Sequence, residues 1–575
     1  MSEDRKLLSA DAPQIPPAPV ATGSPSDHGM TTANIGPGAG PLLRRVARRD
    51  LWALLALALV LALVMTATIR SPQKDDVAWL LYVARKWLAG QRLYEDLIEV
   101  NPPLIVWIYA LPSKLSIWTG IRPKLVAIPF FAVCVLAAAW WTSGILERRA
   151  SLFAHRIPLF ALIGAVLLLL PGVEFGQREH LMAASVLPYL VVMACWMAGE
   201  TVGRRSALAA GIVAGLGSAL KPTYALAFVL PELLGWLRRR PVLRTAPIAA
   251  VVAALVYAGM ILIFCPAFLH SAVPLALALY GGTDTPPLDL LDSAGIMLLG
   301  DVVLAVLWQL SYRRRTLAGA DQLFVAALFA VLASFAVGAT AVYLIEGKNW
   351  FYHRIPATVA IVLALLLWMC DRLPALLQAV RRKLPMTRPR RMIAGGAVLA
   401  SLALGAIVQT GAVRMEPFIR QAVEPDLSAE VRLERLIKRE GARTYLAFSE
   451  WIGLGFPVVN NTGVVWTSRF DSMWALRGEM WRARQDGRPP KDWPISHWVA
   501  VDFIKGCPDI AVVDARGGVN FVGVLIASDA AFAKAWTHYR QIAMFDGLRV
   551  LKRQGPSCSD QPGKPQIATA ALPSP

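Results

Sequence analysis

The chain has 575 residues, of which 56% are hydrophobic and 17% are charged, and its formal net charge is +19. Soluble proteins carry about 25% charged residues, whereas this chain repeats apolar stretches of about twenty residues, the length that crosses a bilayer. These features exclude a soluble enzyme, a disordered hub, a coiled coil and an outer-membrane barrel. Because Lys and Arg collect in the cytoplasmic loops of membrane proteins and no nucleic-acid-binding motif occurs, we expect no nucleic-acid partner.

The N-terminal region differs from the rest of the chain. Residues 1–43 are rich in Pro, Ala, Ser and Gly without hydrophobic periodicity, which predicts a disordered tail. Four arginines lie within 44–49, directly before an apolar span at 51–68. Arginines at this position favour the cytoplasmic side. We therefore expect a cytoplasmic N-terminus on a multi-pass protein of the bacterial inner membrane.

Apolar segments continue to residue 411, and arginine runs at 204–205, 238–240 and 381–391 fall between alternate segments. This pattern predicts an all-α polytopic domain over 44–411 with about eleven transmembrane helices. Four periplasmic loops are expected, at 71–103, 172–180, 269–290 and 346–354. Three apolar segments separate the first two loops, although loops on one side require an even number of crossings. Either one of these segments does not cross or one boundary is wrong. The weakest segment is 104–119, which contains Pro112 and Lys114, but the sequence leaves open which one fails to cross.

The composition changes after residue 411, and residues 412–575 predict a soluble α/β domain on the periplasmic side. Ser428–Glu440 is a candidate helix, and candidate strands are Thr444–Phe448, Val464–Ser468, Ile510–Asp514 and Leu548–Leu551. Cys507 and Cys558 lie in this domain. An oxidising compartment would allow a disulfide between them, with two unpaired thiols as the alternative.

The first periplasmic loop begins with two neighbouring acids, Asp75 and Asp76. Residues 76–89 predict an amphipathic helix on the membrane surface, with Trp79, Tyr82 and Trp87 at the interface. An acid at a helix N-terminus is favourable because of the helix dipole. That role accounts for one of the two acids and leaves the other as a candidate catalytic group.

The other loops are rich in groups that titrate or bind anions. The second loop packs acids, an arginine and a histidine into seven residues, which favours a site over a plain turn; its candidates are Glu174, Arg178, Glu179 and His180. Cations beside aromatic rings at membrane depth suit the phosphate of a lipid carrier, and the alternative is headgroup anchoring. The candidate phosphate-binding residues are Lys221, Lys348, Tyr352, His353 and Arg354.

Together these motifs resemble the GT-C superfamily of membrane glycosyltransferases that use polyprenyl-phosphate-linked sugars. The resemblance is to the branch with protein O-mannosyltransferases and aminoarabinose lipid A transferases, and it covers roughly residues 50–410. The residues that carry it are Asp75-Asp76, the segment 88–96, Asn101-Pro102-Pro103, Glu174 and Glu179, and the segment 348–353.

The resemblance implies an inverting transfer of a sugar to an acceptor hydroxyl on the periplasmic face. Asp75 or Asp76 would act as general base, and Arg178, Glu179 and His180 would orient the base or the sugar. The acceptor is a glycan, a lipid or a protein. No cofactor is required by this chemistry. Because many family members have Asp-Glu rather than Asp-Asp, a divalent metal on Asp75, Asp76 and Glu179 stays an alternative to metal-free chemistry.

Three other functions compete with this interpretation. A transporter or flippase for lipid-linked glycans predicts ionisable residues near the middle of the spans. Most spans of this chain have none, and the exceptions are Glu232 and Asp301. A polymerase or ligase of lipid-linked glycans shares the topology and the lipid substrate. A membrane-anchored binding protein would work through residues 412–575 and would leave the periplasmic acids without a role.

Overall fold

The computed structural model describes residues 48–240, 243–312, 319–488, 490, 492–555 and 558. The predicted tail at 1–43 lies outside the described residues. The membrane domain is a bundle of helices, which are α1 Arg48–Arg70, α2 Asp75–Leu88, α3 Pro103–Thr119, α4 Pro123–Leu146, α5 Arg156–Leu169, α6 Arg178–Ala198, α7 Arg204–Ala219, α8 Val229–Arg239, α9 Thr245–Phe264, α10 Val273–Leu279, α11 Pro287–Ser311, α12 Ala320–Glu346, α13 Ile355–Arg381 and α14 Arg388–Val423.

Within the described ranges, eight helices are long and apolar enough to cross a membrane. They are α1, α4, α6, α9, α11, α12, α13 with its preceding turn, and α14. These helices confirm the predicted all-α polytopic architecture. α6 and α12 are the most buried of them, because they lie in the middle of the bundle and pack against each other, whereas α1 and α9 expose most of their surface.

The ends of α1 identify the apolar segment that does not cross. Lys124, at the start of α4, donates hydrogen bonds to the carbonyls of Ile69 and Ser71 at the end of α1. At the opposite end of α1, Arg49 contacts His155, which directly precedes α5. The chain therefore leaves α1 and enters α4 at the same end of the bundle. α3, which lies between them in sequence, does not cross.

Contacts between the connections show that they lie alternately at the two ends of the helix bundle. Arg149 pairs with Glu200 at 2.9 Å, which joins the α4–α5 and α6–α7 connections at one end. Lys221 pairs with Glu346 at 2.8 Å, which joins the α7–α8 and α12–α13 connections at the other. We call the second end the loop end. The sequence predicts about eleven spans, whereas eight of the described helices are long and apolar enough to cross; α5, α7 and α8 are shorter, with 14, 16 and 11 residues.

The C-terminal part of the chain forms an α/β domain, as the sequence predicts. Its strands form one sheet in the order β2-β1-β3-β5-β4, in which β1 pairs in parallel with β2 and β3, and β5 pairs antiparallel with β3 and β4. The elements are α15 Ala429–Arg439, β1 Thr444–Phe448, α16 Val458–Thr462, β2 Val465–Trp466, α17 Trp474–Asp486, α18 Ile495–Gly506, β3 Ile510–Asp514, α19 Phe521–Ser528, α20 Ala530–Trp536, β4 Tyr539–Phe545 and β5 Leu548–Arg553.

Two features of this domain differ from expectation. β4 was not among the predicted strands, although Asp546-Gly547 after it is a hairpin signal, and both residues have positive φ, at 49° and 72°. The boundary expected at 411–412 falls inside α14, which continues to Val423. Apolar periodicity ends near residue 411 because charged residues follow, yet Glu416 and Arg420 form an ion pair one turn apart at 2.6 Å, which supports further helix.

A disulfide joins Cys507, at the end of α18, to Cys558, after β5, with the Cα atoms 5.5 Å apart. The bond fastens the segment that follows the last strand to the turn that precedes β3. It lies next to Tyr539 of β4, whose hydroxyl donates to the carbonyl of Pro508 at 2.6 Å.

The amphipathic helix in the first loop is α2, but its aromatic face does not lie in the membrane interface. Trp79 and Tyr82 are buried, and each ring lies 4.9 Å from the ring of Phe456 in the C-terminal domain. Asn460 also donates to the carbonyl of Ala78 at 2.8 Å. The interfacial prediction was wrong for Trp79 and Tyr82, since the segment after β1 covers this apolar face instead of lipid.

Candidate active site

The two neighbouring acids lie at the first turn of α2 but have different partners. Lys74 Nζ lies 2.5 Å from Asp75 Oδ1, and the indole N–H of Trp451 donates to Asp75 Oδ2 at 3.1 Å. The backbone N–H of Asp76 also donates to Asp75 Oδ1, at 3.0 Å. Three donors thus contact Asp75, which is the first residue of α2, where an acid interacts favourably with the helix dipole as the sequence suggests for one of the pair.

Asp76 is the more weakly compensated member of the pair. Its Oδ2 accepts a hydrogen bond from Gln177 Nε2 at 3.0 Å. Burial and the neighbouring carboxylate of Asp75 raise the pKa of Asp76 to about 7, because both disfavour the charged form. A carboxylate with this pKa is far better suited to accept a proton near neutral pH than an ordinary aspartate.

Two further acids, Glu99 and Asp471, lie within electrostatic reach of this region, and neither was selected from the sequence. Glu99 accepts hydrogen bonds from Trp79 Nε1 at 2.6 Å and from the backbone N–H of Asn101 at 2.7 Å, and burial raises its pKa. Asp471 comes from the C-terminal domain and accepts from Trp474 Nε1 at 2.9 Å. Burial, then the charges of Glu99 and Asp76, raise the pKa of Asp471 to about 8.

A buried ionic cluster lies at the loop ends of α6, α7, α12 and α13. Lys221 Nζ lies 2.9 Å from Glu179 Oε1 and 2.8 Å from Glu346 Oε2. His353 Nδ1 lies 3.0 Å from the same oxygen of Glu346. Two carboxylates therefore flank one lysine, and Arg178, whose guanidinium lies 3.7 Å from Glu179, balances the second negative charge. Glu346 was not selected from the sequence, although it ends an apolar span.

The acid pair and the ionic cluster are joined by three consecutive residues. Gln177 donates to Asp76, and Glu179, two residues later, pairs with Lys221. Arg178, between them, is buried within electrostatic reach of Asp76, Glu99 and Glu179. The start of α6 therefore brings the candidates from the first and second loops into one site.

The predicted phosphate-binding residues divide into two groups. Lys221 and His353 are buried members of the ionic cluster, and the buried ring of Tyr352 lies 4.8 Å from that of His353. Lys348 instead holds the 280–284 segment, with Nζ 2.6 Å from the carbonyl of Tyr280, 2.9 Å from Thr283 Oγ1 and 2.5 Å from Asp284 Oδ1. All three ammonium protons therefore have acceptors within the protein.

Arg354 lies in a different environment, together with an arginine that the sequence analysis missed. The guanidinium of Arg354 lies 5.5 Å from the ring centre of Phe351, and that of Arg414 from α14 lies 4.0 Å from the same ring. Arg354 donates to Asn349, and Arg414 donates to Glu174 at 2.6 Å. Among the described residues, the Nε atom of each arginine is buried without a hydrogen-bond acceptor.

Glu174 and His180 have structural partners. Glu174 is fully buried between Arg414 and Lys74, the latter 3.9 Å away, and burial raises its pKa. His180 Nδ1 accepts from the backbone N–H of Gly176 at 3.1 Å, and its Nε2 lies 2.9 Å from the carbonyl of Leu167. His180 thus fastens the second loop to α5.

The residues considered for a metal have separate partners. Asp75 binds Lys74, Asp76 binds Gln177, and Glu179 binds Lys221. In the part of the chain that the structure describes, no three His, Cys, Asp or Glu side chains are grouped as a metal site would require. Lysines therefore lie against Asp75 and Glu179, and a neutral amide lies against Asp76.

No family profile and no curated protein matches the sequence. Two crystal structures are similar to the chain. One is ArnT from Cupriavidus metallidurans bound to undecaprenyl phosphate, with 13% identity and a TM-score of 0.48, covering 88% of this chain and 99% of that one. The other is ArnT from Cupriavidus metallidurans in the apo state, with 14% identity and a TM-score of 0.40, covering 88% and 100%.

Proposed function

We propose that the protein is an inverting glycosyltransferase of the bacterial inner membrane. It moves a sugar from a polyprenyl-phosphate carrier to an acceptor hydroxyl at the loop end, on the periplasmic face. The observation that carries the proposal is the bridge at Gln177–Glu179, which joins the partly exposed Asp76 carboxylate of raised pKa to a cluster of buried cations. A base and an anion-stabilising group at adjacent positions are what a single displacement at a glycosyl phosphate requires.

In the proposed reaction Asp76 is the general base. The acceptor oxygen attacks the anomeric carbon, and its proton passes to the Asp76 carboxylate. The bond between the anomeric carbon and the phosphate oxygen breaks, and polyprenyl phosphate leaves with the bonding electron pair. One displacement inverts the anomeric centre. Lys74 and Trp451 hold the Asp75 side chain in place, and Asp75 helps to hold the pKa of Asp76 above its ordinary value.

The leaving phosphate needs cationic partners. Arg354 and Arg414 can supply them, because each has an Nε–H without an acceptor among the described residues and both pack on Phe351. Arg414 is also linked to Lys74, beside the acid pair, through Glu174. Arginine suits phosphate because its donors are planar and paired. Lys221, Tyr352 and His353 would line the inner side of this region, and Lys348 would act indirectly by holding the 280–284 segment.

The experiment supplies the purified protein, in lipid, with a panel of radiolabelled polyprenyl-phosphate sugars and a membrane extract as acceptor. The proposal expects one donor to be consumed, and NMR of the product to show the anomeric configuration opposite to that of the donor. Asp76→Asn should abolish this consumption. Asp96→Asn is the matched control, since Asp96 lies in the same loop but is an exposed partner of Arg92.

Two outcomes would contradict the proposal. Retention of configuration would require a covalent or a two-step mechanism. If the folded protein consumed none of the donors, the alternatives of a flippase or of a polymerase or ligase of lipid-linked glycans would take its place.

A further inference from the structure

A cavity of about 350 Å³ lies in the C-terminal domain, apart from the ionic cluster. It opens where the parallel strands β1 and β3 end, and it is lined by the residues that follow them: Ser449, Glu450 and Trp451 after β1, and Asp514, Arg516 and Gly517 around the end of β3. The crevice outside the carboxyl ends of parallel strands is where open α/β sheets bind ligands. A volume of this size is at the small end of ligand pockets.

The charged groups of the cavity are balanced and paired. Arg477 Nη1 contacts both oxygens of Glu450, at 2.7 and 2.6 Å. Arg516 binds Asp514 through two nitrogens, each at 2.8 Å. Two carboxylates and two guanidinium groups give the lining a net charge of zero. Such a lining does not attract an anion such as a phosphate, nor an ammonium group, over a neutral ligand.

The lining also combines flat apolar surfaces with pairs of polar atoms. Trp451 and Phe521 contribute rings, and the guanidinium of Arg516 lies 5.1 Å from the ring centre of Trp451. Beyond the contacts within each pair, a guanidinium group has further N–H donors and a carboxylate has further lone pairs that can bind hydroxyl groups. Rings that pack against C–H faces and paired polar atoms that bind hydroxyls together suit a sugar ring.

The cavity is linked to the acid pair through one residue. Trp451 lines the cavity, and its indole N–H donates to Asp75 at 3.1 Å. A ligand in the cavity therefore lies one side chain away from the carboxylate that adjoins Asp76.

We propose that this cavity binds the acceptor, and that the acceptor presents an uncharged saccharide there. The proposal rests on the proposed function and makes it specific, because it selects a glycan portion over an unglycosylated protein or a free lipid headgroup as the group recognised by the C-terminal domain.

The test measures saccharide binding and donor consumption separately, with the full-length protein in lipid nanodiscs. The probes are radiolabelled glucose, galactose, mannose and their disaccharides in equilibrium dialysis, with glucose 6-phosphate and glucosamine as charged counterparts. We expect a neutral saccharide to bind at least tenfold more tightly than the charged probes. Glu450→Gln should weaken its binding at least tenfold, and Asp486→Asn, which alters an exposed arginine pair at the far end of α17, should not.

A second variant of the same ion pair is available if the first one does not fold. If Glu450→Gln fails to fold, Arg477→Gln removes the other half of the pair at a side chain that is 43% exposed. The bound saccharide should also accelerate consumption of the lipid donor by the wild type. Absence of binding by all neutral probes, or equal loss in the cavity and control variants, would overturn the proposal. So would binding without acceleration in a protein that does consume the donor. Because binding is read without a donor, the cavity is tested even if the glycosyltransferase function fails.

Discussion

The indole N–H of Trp451 donates a hydrogen bond to Asp75 at 3.1 Å. A residue of the C-terminal domain therefore contacts an acid in the first loop of the membrane domain. Asp471 of the same domain adds a buried carboxylate next to Glu99 and Asp76. The C-terminal domain is therefore part of the site and not an appendage to the bundle.

Replacement of Trp451 tests this contribution. Trp451→Phe keeps an aromatic ring but removes the N–H that stabilises the Asp75 carboxylate, and a hydrogen bond to a charged group contributes about 1.5–3 kcal/mol. We expect transfer to slow by about tenfold or more. Trp498→Phe is the control, because the ring of Trp498 packs on Phe470 and Trp493 in the same domain. Equal rates in the two variants would show that the indole N–H has no part in the reaction.

The rate should depend on pH through Asp76. Its folded-state pKa of about 7 lies above the ordinary value, and the base must be ionised, so kcat/KM should rise as the pH increases through 7 and then level off. Gln177→Ala removes a donor to the ionised carboxylate and should move this rise to higher pH. A rate that falls between pH 6 and about 8 would contradict the assignment of the base.

The same pKa predicts an effect on stability. A carboxyl group whose pKa is raised by folding binds more protons in the folded state, so its contribution to stability falls as the pH rises from about 4 to about 7. Asp76→Asn removes this penalty, and its melting temperature at pH 8 should equal or exceed that of the wild type. A marked loss of thermal stability would mean that Asp76 is a structural group whose replacement disturbs the fold.

The ionic cluster should respond strongly to loss of its lysine. Lys221→Met leaves Glu179 and Glu346 as buried charges without their shared partner, and breaking a buried pair in this way costs about 3–5 kcal/mol. The double variant Lys221→Met with Glu179→Gln should recover part of this loss in thermal unfolding. Arg432→Ala, at a surface pair with Asp546, should cost at most about 1 kcal/mol. Similar losses at the two sites would exclude a buried cluster.

Metal removal tests the electrostatics of the site. Lys74, Gln177 and Lys221 occupy the neighbourhoods of the carboxylates that a metal would need. We therefore expect the transfer rate to be unchanged after treatment with EDTA and gel filtration. A loss that Mg²⁺ or Mn²⁺ restores would contradict metal-free chemistry.

Periodicity and turn signals in the sequence predict most elements of the fold. The strands Thr444–Phe448 and Ile510–Asp514 begin and end where hydrophobicity and flanking polar residues indicate. The non-crossing segment could not be identified from the sequence, because α3 still begins with a continuous apolar stretch at 104–111 and only its neighbours' ends reveal its path. Hydropathy describes composition, whereas the contact of Lys124 with Ile69 depends on tertiary packing.

The site was only partly predictable for a related reason. Asp75, Asp76 and Glu179 can be selected from the sequence, because they lie in loops next to apolar spans. Ionisable groups at membrane depth are costly and are therefore usually functional. Nothing local marks Asp471 or Arg414, which reach the site from more than two hundred residues away in sequence. Nor does local sequence distinguish Asp75 from Asp76; their different partners, Trp451 and Gln177, do so only in the folded chain.

The measurement that tests the central claim most directly is the transfer rate of Asp76→Asn beside Asp75→Asn and Asp96→Asn, with the donor that the wild type consumes. If Asp76 is the base, its replacement should lower the rate by a factor of about 10² to 10⁴. Asp75→Asn should have a smaller effect, and Asp96→Asn almost none. A loss of less than about tenfold in Asp76→Asn, with the protein folded, would contradict the proposed mechanism.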